Sequence, residues 1–198
     1  MTKKEQILEL AKKMGLIRPK DLLERGIAKT YLKRLVDGGK IERLQKGLYA
    51  LPGKDFGEHH SLVEVSKRAS SGVVCLLSAL SFHELTTQSP HEIWMAFPNK
   101  AWIPNVSGVS LKVIRYSDTA FKSGVETHSI HGVPIKVFNI AKTVGDCFKF
   151  RNKIGLDVAI EALRECWRAK KCTMDDLWKY AKICRVSQVM KPYMEMLT

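Results

Sequence analysis

Lys29, Thr30, Tyr31, Lys33 and Arg34 carry the plainest chemistry in this sequence. Their ammonium and guanidinium groups can pair with phosphate oxygens, and their hydroxyls can reach base edges or sugar–phosphate oxygens. At helical spacing Lys29, Thr30, Lys33 and Arg34 share one face, opposite a stripe of Leu32, Leu35 and Val36 with Tyr31 at its edge. A helix of that diameter enters the major groove of duplex DNA, where an exposed face must offer donors. Further on, Gln45 and Lys46 precede Gly47 in a turn whose tip would lie along an adjacent backbone or in a minor groove. A solvated helix face, or a protein-docking module, carries the same lysines, so these readings stand beside DNA binding.

Elsewhere the chemistry is thinner. His83-Glu84-Leu85-Thr86-Thr87 begins like a zinc-protease helix but has no second histidine four residues after the first. His59-His60 falls in a linker-like stretch, where solvation explains it. A metal-dependent nuclease requires clustered carboxylates with a lysine, a role that would draw together Glu126, Lys136 and Asp146. Ser78 lacks the glycines of a nucleophile elbow and reads as the cap of a helix over 79–85. No phosphate-cradling glycine loop and no nucleotidyltransferase Gly-Ser signature is present. Trp94, Phe97 and Trp102, with Pro98 and Pro104, read as a core strand running into a bent loop, or as a ligand or partner platform. Lys142, Lys149, Arg151 and Lys153 gather near one helix end, as a solvated face or as a second contact to a DNA backbone. The five cysteines (75, 147, 166, 172 and 184) form no CxxC pair and read as reduced core residues. No metal and no cofactor is expected.

The elements that must position these groups can be read in order. Thr2 and Glu5 fit a capping box, Ile7, Leu8, Ala11 and Met14 follow at helical spacing, and Gly15 closes the helix. A second helix starts at Arg18-Pro19 and stops at Gly26. A third runs from about Ala28 to Asp37. A strand over 40–44, a turn at Gln45-Lys46-Gly47 and a return strand over 48–51 complete the order of a winged helix-turn-helix. Residues 53–60 read as a linker into another helix that carries Leu62, Val63, Val65 and Ala69. Strands are expected over 92–96, 111–116, 125–130 and 133–137, the last two joined by a His131-Gly132 turn. Helices are expected over 139–151, 155–169, 173–184 and 186–197. The class is α+β: residues 1–53 as a winged helix-turn-helix, then 54–198 with a small, mostly antiparallel sheet and a helical C-terminal half.

Charge supports two modules. The chain has 198 residues with 33 Lys and Arg against 20 Asp and Glu, a net +13. Residues 1–55 hold 14 basic and 7 acidic side chains, while the remaining 143 hold 19 and 13. Such a field favours polyanions. No apolar run approaches the roughly 20 residues of a membrane helix, and neither a secretory apolar core nor a lipidation motif is visible. A cytoplasmic protein is expected.

Asp37-Gly38-Gly39-Lys40-Ile41-Glu42-Arg43-Leu44 and Lys46-Gly47-Leu48-Tyr49-Ala50-Leu51 resemble the winged-helix pattern of the AbiEi antitoxins of bacterial type IV toxin–antitoxin systems. The stretches 78–86, 142–157 and 159–164 resemble that family's later helices and are the more specific part of the likeness. The resemblance implies a bifunctional protein without a cofactor. Its winged helix binds inverted repeats in double-stranded DNA upstream of its own operon, as a homodimer or as cooperative monomers, and represses it. Its antitoxin-like domain, 54–198, counters a nucleotidyltransferase-type toxin without a stable complex. Lys29, Thr30, Lys33, Arg34 and Lys46 match the positions where a winged helix meets DNA. A winged-helix-targeted nuclease and a one-component regulator sensing a ligand at 94–104 are the competing readings.

Overall fold

The computed structural model describes residues 2–53, 60–88, 90–104, 106, 108–130 and 132–197, with the side chains of Gln45 and His60 outside the description. The chain divides into two compact units, Met1–Lys67 with Ser129–Pro134, and Arg68–His128 with Ile135–Thr198.

The first unit follows the capping and breaking signals closely. Helix α1 (Lys3–Met14) opens on the Thr2–Glu5 capping box and ends at Gly15. A two-residue strand β1 (Leu16–Ile17) precedes α2 (Pro19–Leu23) and α3 (Thr30–Asp37). Strands β2 (Glu42–Gln45) and β3 (Leu48–Ala50) are joined by Lys46-Gly47, with Gly47 at φ 76°, a conformation glycine adopts without steric cost. The sheet order is β1-β3-β2, antiparallel throughout. Ile7, Leu10 and Ala11 of α1, Leu22 of α2, Leu32 and Leu35 of α3, and Ile17, Ile27 and Ile41 form one core. Helix α4 (His60–Arg68) follows, and its residues 62–67 are buried. The expected linker at 54–59 lies outside the described residues.

The second unit holds β4 (Val73–Val74), α5 (Leu76–Phe82), β5 (Ile93–Pro98), β6 (Leu111–Tyr116), α6 (Asp118–Lys122) and most of β7 (Val125–Ile130) and β8 (Val133–Phe138), whose residues 129–130 and 133–134 are counted with the first unit. Helices α7 (Ile140–Lys149), α8 (Arg151–Ile154), α9 (Leu156–Arg168), α10 (Met174–Cys184) and α11 (Ser187–Glu195) complete it. The sheet order is β6-β5-β4-β8-β7. Strands β4 and β5 are antiparallel, while β4–β8 and β5–β6 are parallel, which alternation along a strand cannot reveal. Gly132, of the expected hairpin turn, has φ 84°; His131 lies outside the described residues.

Three sequence expectations are corrected here. Ser78 is inside α5, which begins after Cys75, and its hydroxyl accepts from the Trp94 amide at 2.9 Å. It ties the helix to β5 and caps nothing. Cys166 and Cys172 form a disulfide: Lys171 N–H bonds back to the Cys166 carbonyl, and the turn brings the two Cα atoms to 6.4 Å. Cys75, Cys147 and Cys184 are free and buried, as expected.

The third correction concerns Lys142. Helix α7 is buried on every side from Ala141 to Phe148, so Lys142 and Asp146 are both fully enclosed and pair with each other across one helical turn. Cys184 donates to the second Asp146 oxygen at 3.2 Å, and the Lys142 ammonium lies 4.3 Å from the Phe138 ring centroid and 4.9 Å from that of Tyr116. Burial pushes the Asp146 carboxyl up, against the pull of Lys142. Removing one partner strands the other charge in the core. Asp146→Ala should therefore lower unfolding free energy by about 3–5 kcal/mol, read from urea titration. The double replacement Lys142→Met with Asp146→Leu should lose less than Asp146→Ala alone.

Candidate nucleic-acid interface

Helix α3 turns its two leucines inward, Leu32 at 2% and Leu35 at 3% exposure, which leaves the opposite side to solvent. Lys29, Thr30, Lys33 and Arg34 are exposed, and Tyr31 is half-buried against the core. The Arg34 guanidinium carbon lies 5.6 Å from the Tyr31 ring centroid, within cation–π range. Lys46 is exposed at the β2–β3 turn. Gln45 pairs with Leu48 in that ladder, and its side chain lies outside the described residues. The fold thus assembles a basic, hydroxyl-bearing helix face within the first unit, from residues that the core stripe alone orients.

Sequence reasoning missed what holds α2. Arg18, read only as a helix start, donates its amide to Asp21 at 2.8 Å and its guanidinium to the same carboxylate at 3.1 Å. The Lys67 ammonium of α4 meets that carboxylate at 3.1 Å, and Arg18 also donates to the Lys67 carbonyl. Arg25 donates to the Asp21 carbonyl at 2.8 Å. The i, i+3 spacing of Arg18 and Asp21 was a signal for the first contact; nothing in sequence pointed to Lys67. Burial pulls Lys67 below its ordinary 10.5, partly offset by Asp21.

The remaining candidates are not brought together. Lys142 is excluded as a DNA-backbone contact by its burial. Lys149 and Arg151 are half-buried, and Lys153 is exposed. The Arg151 guanidinium donates to the Phe148 carbonyl at 2.9 Å. Of the nuclease trio, Asp146 is enclosed, whereas Glu126 pairs with His128 at 3.3 Å and Lys136 reaches the Ser70 carbonyl at 3.3 Å, both on the surface. Among the described residues no group of three His, Cys, Asp or Glu side chains could hold a metal ion. Trp94 and Phe97 are core residues while Trp102 is 79% exposed, so the aromatic stretch makes no single platform.

A cleft of about 360 Å³ in the second unit has titratable walls, His83, Glu126, His128, Lys171 and Tyr180 among others. His83 Nε2 lies 2.7 Å from the Phe138 carbonyl, an acceptor, so that nitrogen donates. Burial holds its pKa below the ordinary 6.5. The cleft's walls were not grouped by sequence, because they come from five separate elements and turns.

Residues 5–52 match the family of AbiEi antitoxin transcriptional regulators. The matched segment runs from the first turn of α1 past the end of β3 and contains every α3 and turn residue named above. The stretches 78–86, 142–157 and 159–164, expected from the sequence to follow the AbiEi pattern, lie outside the matched residues. No curated protein matches the chain. Among solved structures, the RV2827C protein from Mycobacterium tuberculosis shares the fold, with a TM-score of 0.59 at 13% identity over 100% of this chain and 80% of that one. Among the described residues no helix is long and apolar enough to cross a membrane.

Asp21 gives the AbiEi-like segment an acid-sensitive joint. Burial raises its carboxyl, but the Arg18 amide and the Lys67 and Arg18 charges outweigh that and hold it below its ordinary 3.8. A depressed acid contributes stability that is complete above the unfolded value and is lost as pH falls through the folded one. Asp21→Asn should flatten the decline in stability of the first unit below about pH 4. At pH 7 it should cost roughly 3 kcal/mol. Urea titrations at a series of pH values read both effects.

Proposed function

We propose that this protein is a cytoplasmic DNA-binding repressor of its own operon and the antitoxin of a type IV pair. Residues 1–53 act as the winged helix-turn-helix and 54–198 as the antitoxin-like domain. The observation that carries the reading is the exposed face of α3, Lys29, Thr30, Lys33 and Arg34, inside the segment that matches a transcriptional-regulator family. Helix α3 is the reader in the major groove. Tyr31 supports Arg34, and the β2–β3 turn with Gln45 and Lys46 is the wing on the neighbouring backbone. Lys29 and Lys33 supply salt-sensitive affinity through phosphates, while Thr30 and Arg34 address base edges. Lys149, Arg151 and Lys153 are a secondary contact to the backbone. The target is an inverted repeat, occupied by two copies, and the chemistry requires no cofactor.

A mobility-shift titration against the upstream promoter at two salt concentrations tests the reader. Lys33→Ala should weaken binding and reduce the slope of log K against log salt by about 1. Arg34→Ala should cost roughly 1–3 kcal/mol and relax preference at one base position. If both variants bind as wild type with an unchanged slope, α3 is not the reader. The antitoxin half is tested by co-expression with a nucleotidyltransferase-type toxin of a type IV pair. Growth should be rescued by wild type and equally by the Lys33→Ala, Arg34→Ala double variant, since repression and rescue use different residues. No rescue by wild type ends that half of the reading.

A further inference from the structure

Helix α9 has a charge layout that fits its own copy. Asp157 and Glu161 lie in its first half, Arg164 and Arg168 in its second, at spacings of four, three and four residues that put them on one stripe. Asp157, Arg164 and Arg168 are exposed and Glu161 is half-buried. Among the described residues Asp157, Glu161 and Arg164 enter no ion pair, and Arg168 reaches Glu165 at 2.6 Å while remaining 78% exposed. Beside the stripe runs a groove of about 450 Å³, walled by Ile160 and Glu165 together with Asp157, Glu161 and Arg164 of the stripe. It shares Ile160 and Arg164 with a small hollow against Tyr193, Met196 and Leu197, where Met196 is 76% exposed.

We propose that this face of α9 is where two copies of the chain associate about a two-fold axis. A second α9 laid antiparallel sets Asp157 against the other copy's Arg168 and Glu161 against its Arg164, and the symmetry makes each pair twice. Nucleic acid is a poor occupant, because Asp157, Glu161 and Glu165 repel phosphate. A uniformly basic partner is opposed by the two arginines. Only a surface with the same charge order reversed satisfies all four side chains, and this helix is one. A helix of 13 residues spans about 20 Å, so the contact lies at the small end of interfaces and the dimer is reversible. The inference deepens the operator reading, which calls for two copies on two half-sites, and rests on that reading only for its purpose.

Sedimentation velocity of the full chain, without DNA and at low salt, over about 1–100 µM tests it. Wild type should pass from monomer to dimer within that range. Glu161→Arg and Arg164→Glu should each weaken the dimer at least about tenfold, since each sets like charges face to face twice. The combined exchange should bring it back to within about threefold of wild type, because the pairs re-form with opposite polarity. Circular dichroism confirms that each variant is folded. A wild type monomeric across the range, single variants that dimerise unchanged, or a double variant that fails to recover would each overturn the proposal. A monomer that still shifts promoter DNA leaves the operator reading intact, and a dimer that does not shift it overturns that reading alone.

Discussion

The burial of Leu32 and Leu35 is the constraint from which the candidate interface follows. Each leucine placed in the first unit's core contributes on the order of 1.5–3 kcal/mol, far more than any single solvated lysine gains from its position. The helix therefore has one stable rotation about its axis. That rotation leaves Lys29, Thr30, Lys33 and Arg34 outward, with their side chains hydrated in the absence of a partner. Among the described residues the polar face is not held by contacts of its own, apart from Arg34 on Tyr31. Its geometry is borrowed from the core behind it.

The same economy explains why α2 carries a buried ionic joint. A five-residue helix cannot fix its own direction, having barely one turn of hydrogen bonds. Asp21 gathers the Arg18 amide, the Arg18 guanidinium and the Lys67 ammonium, which ties the helix start to α4. The second unit uses a related device at Lys142 and Asp146, with a different consequence. There the pair sits inside one helix, braced by aromatic rings and the Cys184 thiol. Neither pair adds much net stability against an apolar substitute of equal volume. What each does is penalise any packing in which one charge loses its partner.

Much of this was legible in the sequence where local rules decide. The Thr2–Glu5 capping box, Pro19 at a helix start, and a glycine at positive φ after Lys46 each act over three or four residues. Of the five C-terminal helices, α7, α9, α10 and α11 were legible for the same reason, since apolar periodicity over about ten residues leaves little choice, whereas the four-residue α8 is too short to show one. Lys142 was misread because it falls in a run with Lys149, Arg151 and Lys153 that looks like one basic helix end; only the crowding of α7 by α5, α9 and α10 buries it. Strand β1, two residues long, exists because β3 offers it an edge, and no periodicity fits in two residues. Parallel pairing of β4 with β8 joins segments more than sixty residues apart, a relation fixed by the crossovers between them. The match at residues 5–52 falls on the part of the chain that local rules also describe best.

Net charge alone would have been a poor guide to where a polyanion docks. The +13 total includes one lysine sealed in the second unit's core and another paired at the α2–α4 joint. Neither can release a counterion from DNA, so the salt dependence of binding counts only cations that reach a phosphate. On α3 those are few, and they stand next to a single exposed hydroxyl at Thr30. In the proposed complex, base discrimination then falls mainly on Arg34, whose guanidinium is already oriented by Tyr31 and loses less freedom on pairing than a lysine would. A reader built this way has modest sequence preference per copy. Two copies on one repeat multiply that preference without adding a contact to either, which is the physical advantage of coupling a small reader to a self-associating helix.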